Sequence, residues 1–243
     1  MQTVRVALAQ IAPKLGDIKA NLEIHRDAIR LAVREKAGVV VFPELSLTGY
    51  DLAAIESRDD LHVAPDDPRL APLRAACERH GTTAIVGAPV PTGRGLLLGA
   101  LIIGPDGSAP DVYGKLNLHA DEPRIFVPGT GPRVVDVAGR LVGLALCIDA
   151  NLPEHAAATA ELGADIYAAG VIFELGTEDR LAEHLGARAR ETGMWVVGAQ
   201  PSGRTGSFET GGTSGIWAPD GEAVTRLGDE APALASASIP GPA

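Results

Sequence analysis

The spacing of apolar positions changes along the chain, and the changes mark its elements. Residues 4–9 are a short β-prone run of mixed apolar character, followed by a loop at Pro13 and Gly16. In NLEIHRDAIRLAVREKAG, Leu22, Ile29 and Val33 recur near helical spacing, with Asn21 as N-cap and Gly38 as the residue past the helix end. The continuous apolar run 39–42 stops at Pro43, the pattern of a strand buried on both faces. A second unit repeats the order, with a helix near 68–80, a stop at Gly81 and a strand at 82–86. Alternating strand and helix predicts an α/β layered fold with right-handed crossovers.

The middle reads as antiparallel. Residues 96–103 run into the turn GPDG, 133–137 reach a tight turn at Ala138 and Gly139, and 141–146 lead straight into Cys147. A helix at 153–162, a strand at 165–168, a helix at 179–192 and a strand at 195–199 restore the alternation. TSGIWAPDGEAVTRLGDE predicts a hairpin around Pro219, Asp220 and Gly221. No linker or repeat interrupts the pattern, so 1–243 reads as one domain.

Composition narrows the function classes. The chain's 243 residues are 46% hydrophobic, enough for a core without disulfides or structural metal. Thirty-one acidic against 21 basic residues give a net charge of -10, spread along the chain. That field repels phosphate backbones and anionic lipid heads, which argues against nucleic-acid or membrane partners. The most apolar stretch, 96–104, is too short to span a bilayer, and MQTVRVALAQ lacks the features of a signal peptide. Cys77 and Cys147 form no disulfide framework, and a cytoplasmic protein is expected. Six histidines show no metal spacing and no glycine loop cradles a phosphate, so neither a metal nor an organic cofactor is expected.

Three residues are chemically unusual for their places. Glu44 lies just past a buried-looking strand, where open α/β sheets place ligands; it is also readable as a solvated loop or helix-start charge. Lys115 follows a strand-like stretch with Glu122 seven residues on. The pair suits either a surface ion pair or an oxyanion site, since an ammonium is a compact three-donor charge. Cys147 ends an apolar strand ahead of Asp149 and a helix start at Pro153, where a thiolate can be stabilised; it can equally be a small buried hydrophobe. Together they supply a base, an oxyanion cation and a thiol nucleophile.

In these segments the chain resembles the nitrilase, or carbon–nitrogen hydrolase, superfamily. FPELSLTGY is similar to the family's catalytic-Glu motif, YGKLNLH to its catalytic-Lys motif, and LCIDANLPE to its nucleophile motif with Asp149, Pro153 and Glu154 in step. DEPRIFVPG resembles the segment that carries a second glutamate. The resemblance extends over nearly the whole chain. It implies a four-layer α-β-β-α sandwich assembled as a homodimer or larger homo-oligomer, with Glu44, Lys115, Cys147 and Glu122 catalytic. It also implies hydrolysis of a small amide or carbamoyl amine through a thioester, and a substrate wall of Tyr50, Asp149, Asn151, Val171 and Glu174.

Departures bear on the substrate. Asn151 stands where many members have an arginine, which disfavours a carboxylate-bearing substrate. Ala169, Gly170 and Val171 replace a more polar segment, and Gln200 replaces a frequent asparagine. Glu174 either faces the pocket and favours an amine or is a surface charge. Three other readings share these residues: a nitrilase, a binding protein that keeps the fold without turnover, and a redox sensor at Cys147, for which Cys77 is no evident partner.

Overall fold

The computed structural model describes residues 3–241. One six-stranded sheet comprises β1 (Val4–Gln10), β2 (Val39–Val41), β3 (Thr83–Thr92), β4 (Gly95–Ile103), β5 (Asp111–Gly114) and β14 (Ala233–Ile239), in the order β14-β1-β2-β3-β4-β5. The other comprises β6 (Val134–Val137), β7 (Arg140–Leu146), β8 (Ile166–Gly170), β9 (Trp195–Ala199), β12 (Gly215–Trp217) and β13 (Ala223–Arg226), in the order β13-β12-β9-β8-β7-β6. Each has a parallel centre, β1-β2-β3 or β7-β8-β9, with antiparallel strands on both flanks. A separate ribbon pairs β10 (Ser202–Thr205) with β11 (Phe208–Gly211).

Helices cover the outer faces. α1 (Ile18–Arg34) and α3 (Ala71–His80) pack over the first sheet, α5 (Pro153–Glu161) and α6 (Glu178–Thr192) over the second, and β1 and β2 meet β8 and β9 between them. This is the α-β-β-α sandwich. The alternation in β8 shows why its run is apolar throughout. Ile166 and Ala168 join the core between the sheets, while Tyr167 and Ala169 join the cluster containing Leu181 and Leu185 of α6. Both faces are buried, so a polar residue on either side would cost desolvation. No helix among the described residues is long and apolar enough to cross a membrane.

Several boundaries differ from the pattern reading. α1 begins at Ile18, capped by Asp17, whose side chain accepts from Ala20 N at 3.0 Å. Asn21 is instead buried, bonding Lys14 N, Lys14 O and Leu47 O. The helix ends before Lys36, the residue with positive φ (61°), rather than at Gly38. β3 runs on past Gly87 through two prolines because β2 pairs only as far as Ile85. Beyond that point one edge of β3 has no strand requiring its N–H groups. Two short helices, α2 (Leu52–Ser57) and α4 (Ile148–Asn151), and the β10–β11 ribbon had no expected counterpart.

Candidate active site

The chain leaving β2 carries Glu44, that leaving β5 carries Lys115, and that leaving β7 carries Cys147. Glu44, Glu122 and Cys147 line one cavity of about 350 Å³. Lys115 lies fully buried behind them. Its Nζ is 2.9 Å from Glu44 Oε1 and 2.8 Å from Glu122 Oε1. Glu122 is held in turn: Tyr50 OH donates to Oε1 at 2.7 Å and His119 N to Oε2 at 2.7 Å.

Glu44 is held differently. The Lys115 ammonium, 2.9 Å from Oε1, pairs with it as a charge, and Oε2 has no hydrogen-bond donor among the described residues. Burial, above all, pushes the Glu44 carboxyl up to about 7, against the pull of Lys115 and with the help of Glu122. An unsatisfied carboxylate with a pKa near neutrality suits a general base.

The turn carrying Glu44 is tightly fixed. His25 Nδ1 lies 2.6 Å from the Asn21 carbonyl and must donate to it, leaving Nε2 to accept from the Ser46 hydroxyl at 2.9 Å. Burial lowers His25 to about 4, so it stays neutral in this role. Glycines from both sheets press on the same turn. A Cβ on Gly87 would strike Pro43 O and Leu45 N, and one on Gly170 would stand 2.8 Å from Phe42 O and 3.0 Å from Glu44 N. Gly170 O also accepts from Cys147 N at 2.8 Å, so this glycine ties the glutamate turn to the cysteine turn. Gly170→Ala is therefore expected to cost about 1–3 kcal/mol of stability by overpacking and to lower activity as well. Thermal unfolding and turnover should fall together, and unchanged values for both would refute the clasp.

Cys147 sits at φ 46° and ψ −107°, immediately before α4. Such a backbone costs about 1–3 kcal/mol and aims the side chain away from the regular path. Its Sγ lies 3.5 Å from the Ile172 carbonyl. The expected helix-stabilised thiolate is not what this geometry produces. α4 is a single turn, and burial first, then Glu44, push the thiol up to about 12 against Lys115. The thiol therefore rests protonated. For Lys115, burial opposes the charge, but Glu44, Cys147 and Glu122 outweigh it and hold the ammonium above the ordinary lysine range.

Of the expected substrate wall, Tyr50, Asn151 and Glu174 line the cavity. Asn151 Oδ1 is buried with no hydrogen-bond partner among the described residues. Asp149 and Val171 do not line it: Asp149 is fully buried with its oxygens engaged elsewhere, and Val171 is buried beside Ile172 and Phe173, which form the wall instead. Gln200 supports that wall, accepting from Phe173 N at 2.7 Å and donating to Gly212 O at 2.8 Å. Sequence reasoning missed Ile148, His119, Thr177, Arg180 and Phe208, all at the cavity. Ile148 could have been found as the neighbour of Cys147; Arg180 and Phe208 arrive from α6 and β11 with no local signature.

Known proteins share this construction. The sequence profile described as carbon-nitrogen hydrolase matches residues 5–241. A nitrilase of Pyrococcus abyssi is 28% identical over 228 residues, 93% of this chain and 86% of that one. An (R)-stereoselective amidase of a Pseudomonas species is 30% identical over 199 residues, 80% of this chain and 69% of its own. Among solved structures, the amidase of Nesterenkonia sp. AN1 superposes with a TM-score of 0.88 at 28% identity, covering 98% of this chain and 93% of that one. A form of it with glutamine in place of a glutamate carries the acetamide moiety of fluoroacetamide covalently on its active-site cysteine, with a TM-score of 0.88 at 27% identity over 98% of this chain and 90% of that one.

Proposed function

The chain belongs to the carbon–nitrogen hydrolase family, and from that premise we propose that it hydrolyses a small linear amide or carbamoyl amine through a thioester on Cys147, releasing ammonia or an amine. The observation that carries this reading is the buried Glu44 carboxylate, whose Oε2 has no hydrogen-bond donor among the described residues, on the same cavity as Cys147. The relatives named as amidases support the substrate class. A volume of about 350 Å³, walled by Ile148, Ile172, Phe173 and Phe208, suits a small acyl group.

The residues divide the steps. Glu44 takes the proton of the Cys147 thiol as sulfur attacks the carbonyl carbon, and the new oxyanion forms beside the Lys115 ammonium. Glu44 then delivers its proton to the leaving nitrogen, the carbon–nitrogen bond breaks and the amine departs. A water molecule gives its proton to Glu44 and attacks the thioester, and the departing sulfur recovers a proton as the acid leaves. Glu122, anchored by Tyr50 and His119 N, holds Lys115 in place throughout.

Ammonia release over a panel of small amides, carbamoyl amines and nitriles, with Cys147→Ala alongside, tests the reading. Release from amides by the wild type alone supports it, a clear nitrile preference makes the protein a nitrilase, and silence with an inert thiol makes it a binding protein. The Glu44 pKa adds a prediction. Below about 7 the base is neutral and cannot accept the thiol proton. With non-ionising amides, kcat/KM is expected to fall about tenfold per unit below pH 7 and to level off above it. A profile flat down to pH 5 would assign the base elsewhere.

A further inference from the structure

Lys115 and Cys147 come from different sheets, so some contact must set the distance between them. Lys115's own peptide is fixed within the first sheet, its N–H donating to Leu98 O and its carbonyl accepting from Gly129 N, both at 2.9 Å. Neither bond reaches the cysteine. The hydrogen bonds that do cross to the Cys147 turn from residues 113–117, among the described residues, all end on the carboxylate of Asp149. Leu116 N and Asn117 N, directly after Lys115, donate to it at 3.2 and 2.9 Å. Asn117 Nδ2 donates at 2.9 Å, and Tyr113 OH, two residues before Lys115, at 2.6 Å. On its own side, Leu146 N donates at 3.4 Å.

We propose that Asp149 is a positioning residue: its buried carboxylate staples the Lys115 segment to the Cys147 turn and so sets the reach of the ammonium to the reacting sulfur and oxyanion. The inference rests on the roles given above to Lys115 and Cys147. Proton counting shows how the staple is ordered. A carboxylate can only accept from Tyr113, so the Tyr113 oxygen must accept from His155 Nε2, 2.9 Å away. The other ring nitrogen, Nδ1, then accepts from the Tyr167 hydroxyl at 2.7 Å. Burial lowers the His155 pKa against the pull of Asp149 and Glu154, the direction this assignment needs. Each donor points toward Asp149, from the hydroxyl of β8 through α5 to the end of β5. Aligned donors of this kind strengthen one another in a buried site.

Asp149→Asn keeps size and shape but turns an NH2 group toward groups that donate. With the best small amide, kcat is expected to fall about a hundredfold, the cost of a displacement near 1 Å, with KM within about threefold of wild type. Iodoacetamide alkylation of Cys147, followed peptide by peptide in the mass spectrum, reads the same geometry without any substrate. It should slow to a similar extent in Asp149→Asn and Lys115→Ala, and no further in the double variant, because the two changes act through one contact. Fully buried Cys77 is the internal control: it stays unmodified if only the staple is lost and reacts if the whole fold loosens. Tyr113→Phe removes one donor only and reads the same rates if Asp149→Asn does not fold.

Unchanged kcat and alkylation in the staple variants, additive losses with Lys115→Ala, or parallel alkylation of Cys77 would overturn the proposal. If the wild type hydrolyses no amide but the alkylation pattern holds, the amidase reading fails and the staple stands. If amides are turned over and the staple variants match the wild type, the staple alone fails.

Discussion

Replacing Cys147 by alanine is expected to lower amide turnover by about a million-fold, the scale seen when a hydrolase loses its nucleophile, while the folded state barely changes. The side chain contributes little to stability. Among the described residues its sulfur makes one hydrogen bond, to Ile172 O at 3.5 Å, and a thiol is a weak donor. The strained φ of 46° belongs to the backbone and survives the substitution. Lys115 keeps both of its carboxylate partners, so no buried charge is orphaned. Cys147→Ser should be equally inactive, since a hydroxyl is far less acidic than a thiol and Glu44 could not deprotonate it. Ammonia release and thermal unfolding check the two halves of the expectation. Retained turnover would place the nucleophile elsewhere, and a large drop in unfolding temperature would give Cys147 a structural role.

The fold and the site were legible to different depths, for physical reasons. Strands such as β2 and β9 announce themselves because they are covered on both faces, so their runs are apolar without alternation. The start of α1 was misread because Asp17 and Asn21 are both capping residues, and only the fold shows which is turned inward to bond Leu47. Glu44, Lys115 and Cys147 stand out because each lies at or just past the end of a strand. Asp149 shows the limit of neighbourhood as a guide. Two residues past Cys147, its side chain enters the protein, whereas Asn151, four on, lines the cavity. For Cys147, position before a helix allows a stabilised thiolate, but burial outweighs a single helical turn.

Replacing Lys115 by alanine is expected to damage both function and stability, and the second effect should depend on pH. Loss of one oxyanion donor raises the barrier by about 3–4 kcal/mol, a fall in kcat of a few hundred-fold or more. The structural loss has a different origin. Lys115 is the buried cation between Glu44 and Glu122, both themselves buried, and breaking such a pair typically costs about 3–5 kcal/mol. Without the ammonium, the Glu44 carboxyl, already raised to about 7 by burial, must rise further. An acid with a higher pKa in the folded state than in the unfolded chain is no burden where both forms are protonated, below about 4.3, the ordinary glutamate value. The wild type carries the same penalty up to about 7, so the variant's extra cost opens as pH climbs from there, because its Glu44 stays protonated longer in the folded state than the wild type's. Lys115→Ala should therefore lose more stability at pH 8 than at pH 5, in thermal unfolding measured at both. Equal destabilisation at the two values would mean that Lys115 acts by packing rather than by charge, and a defect confined to KM would make it a substrate binder.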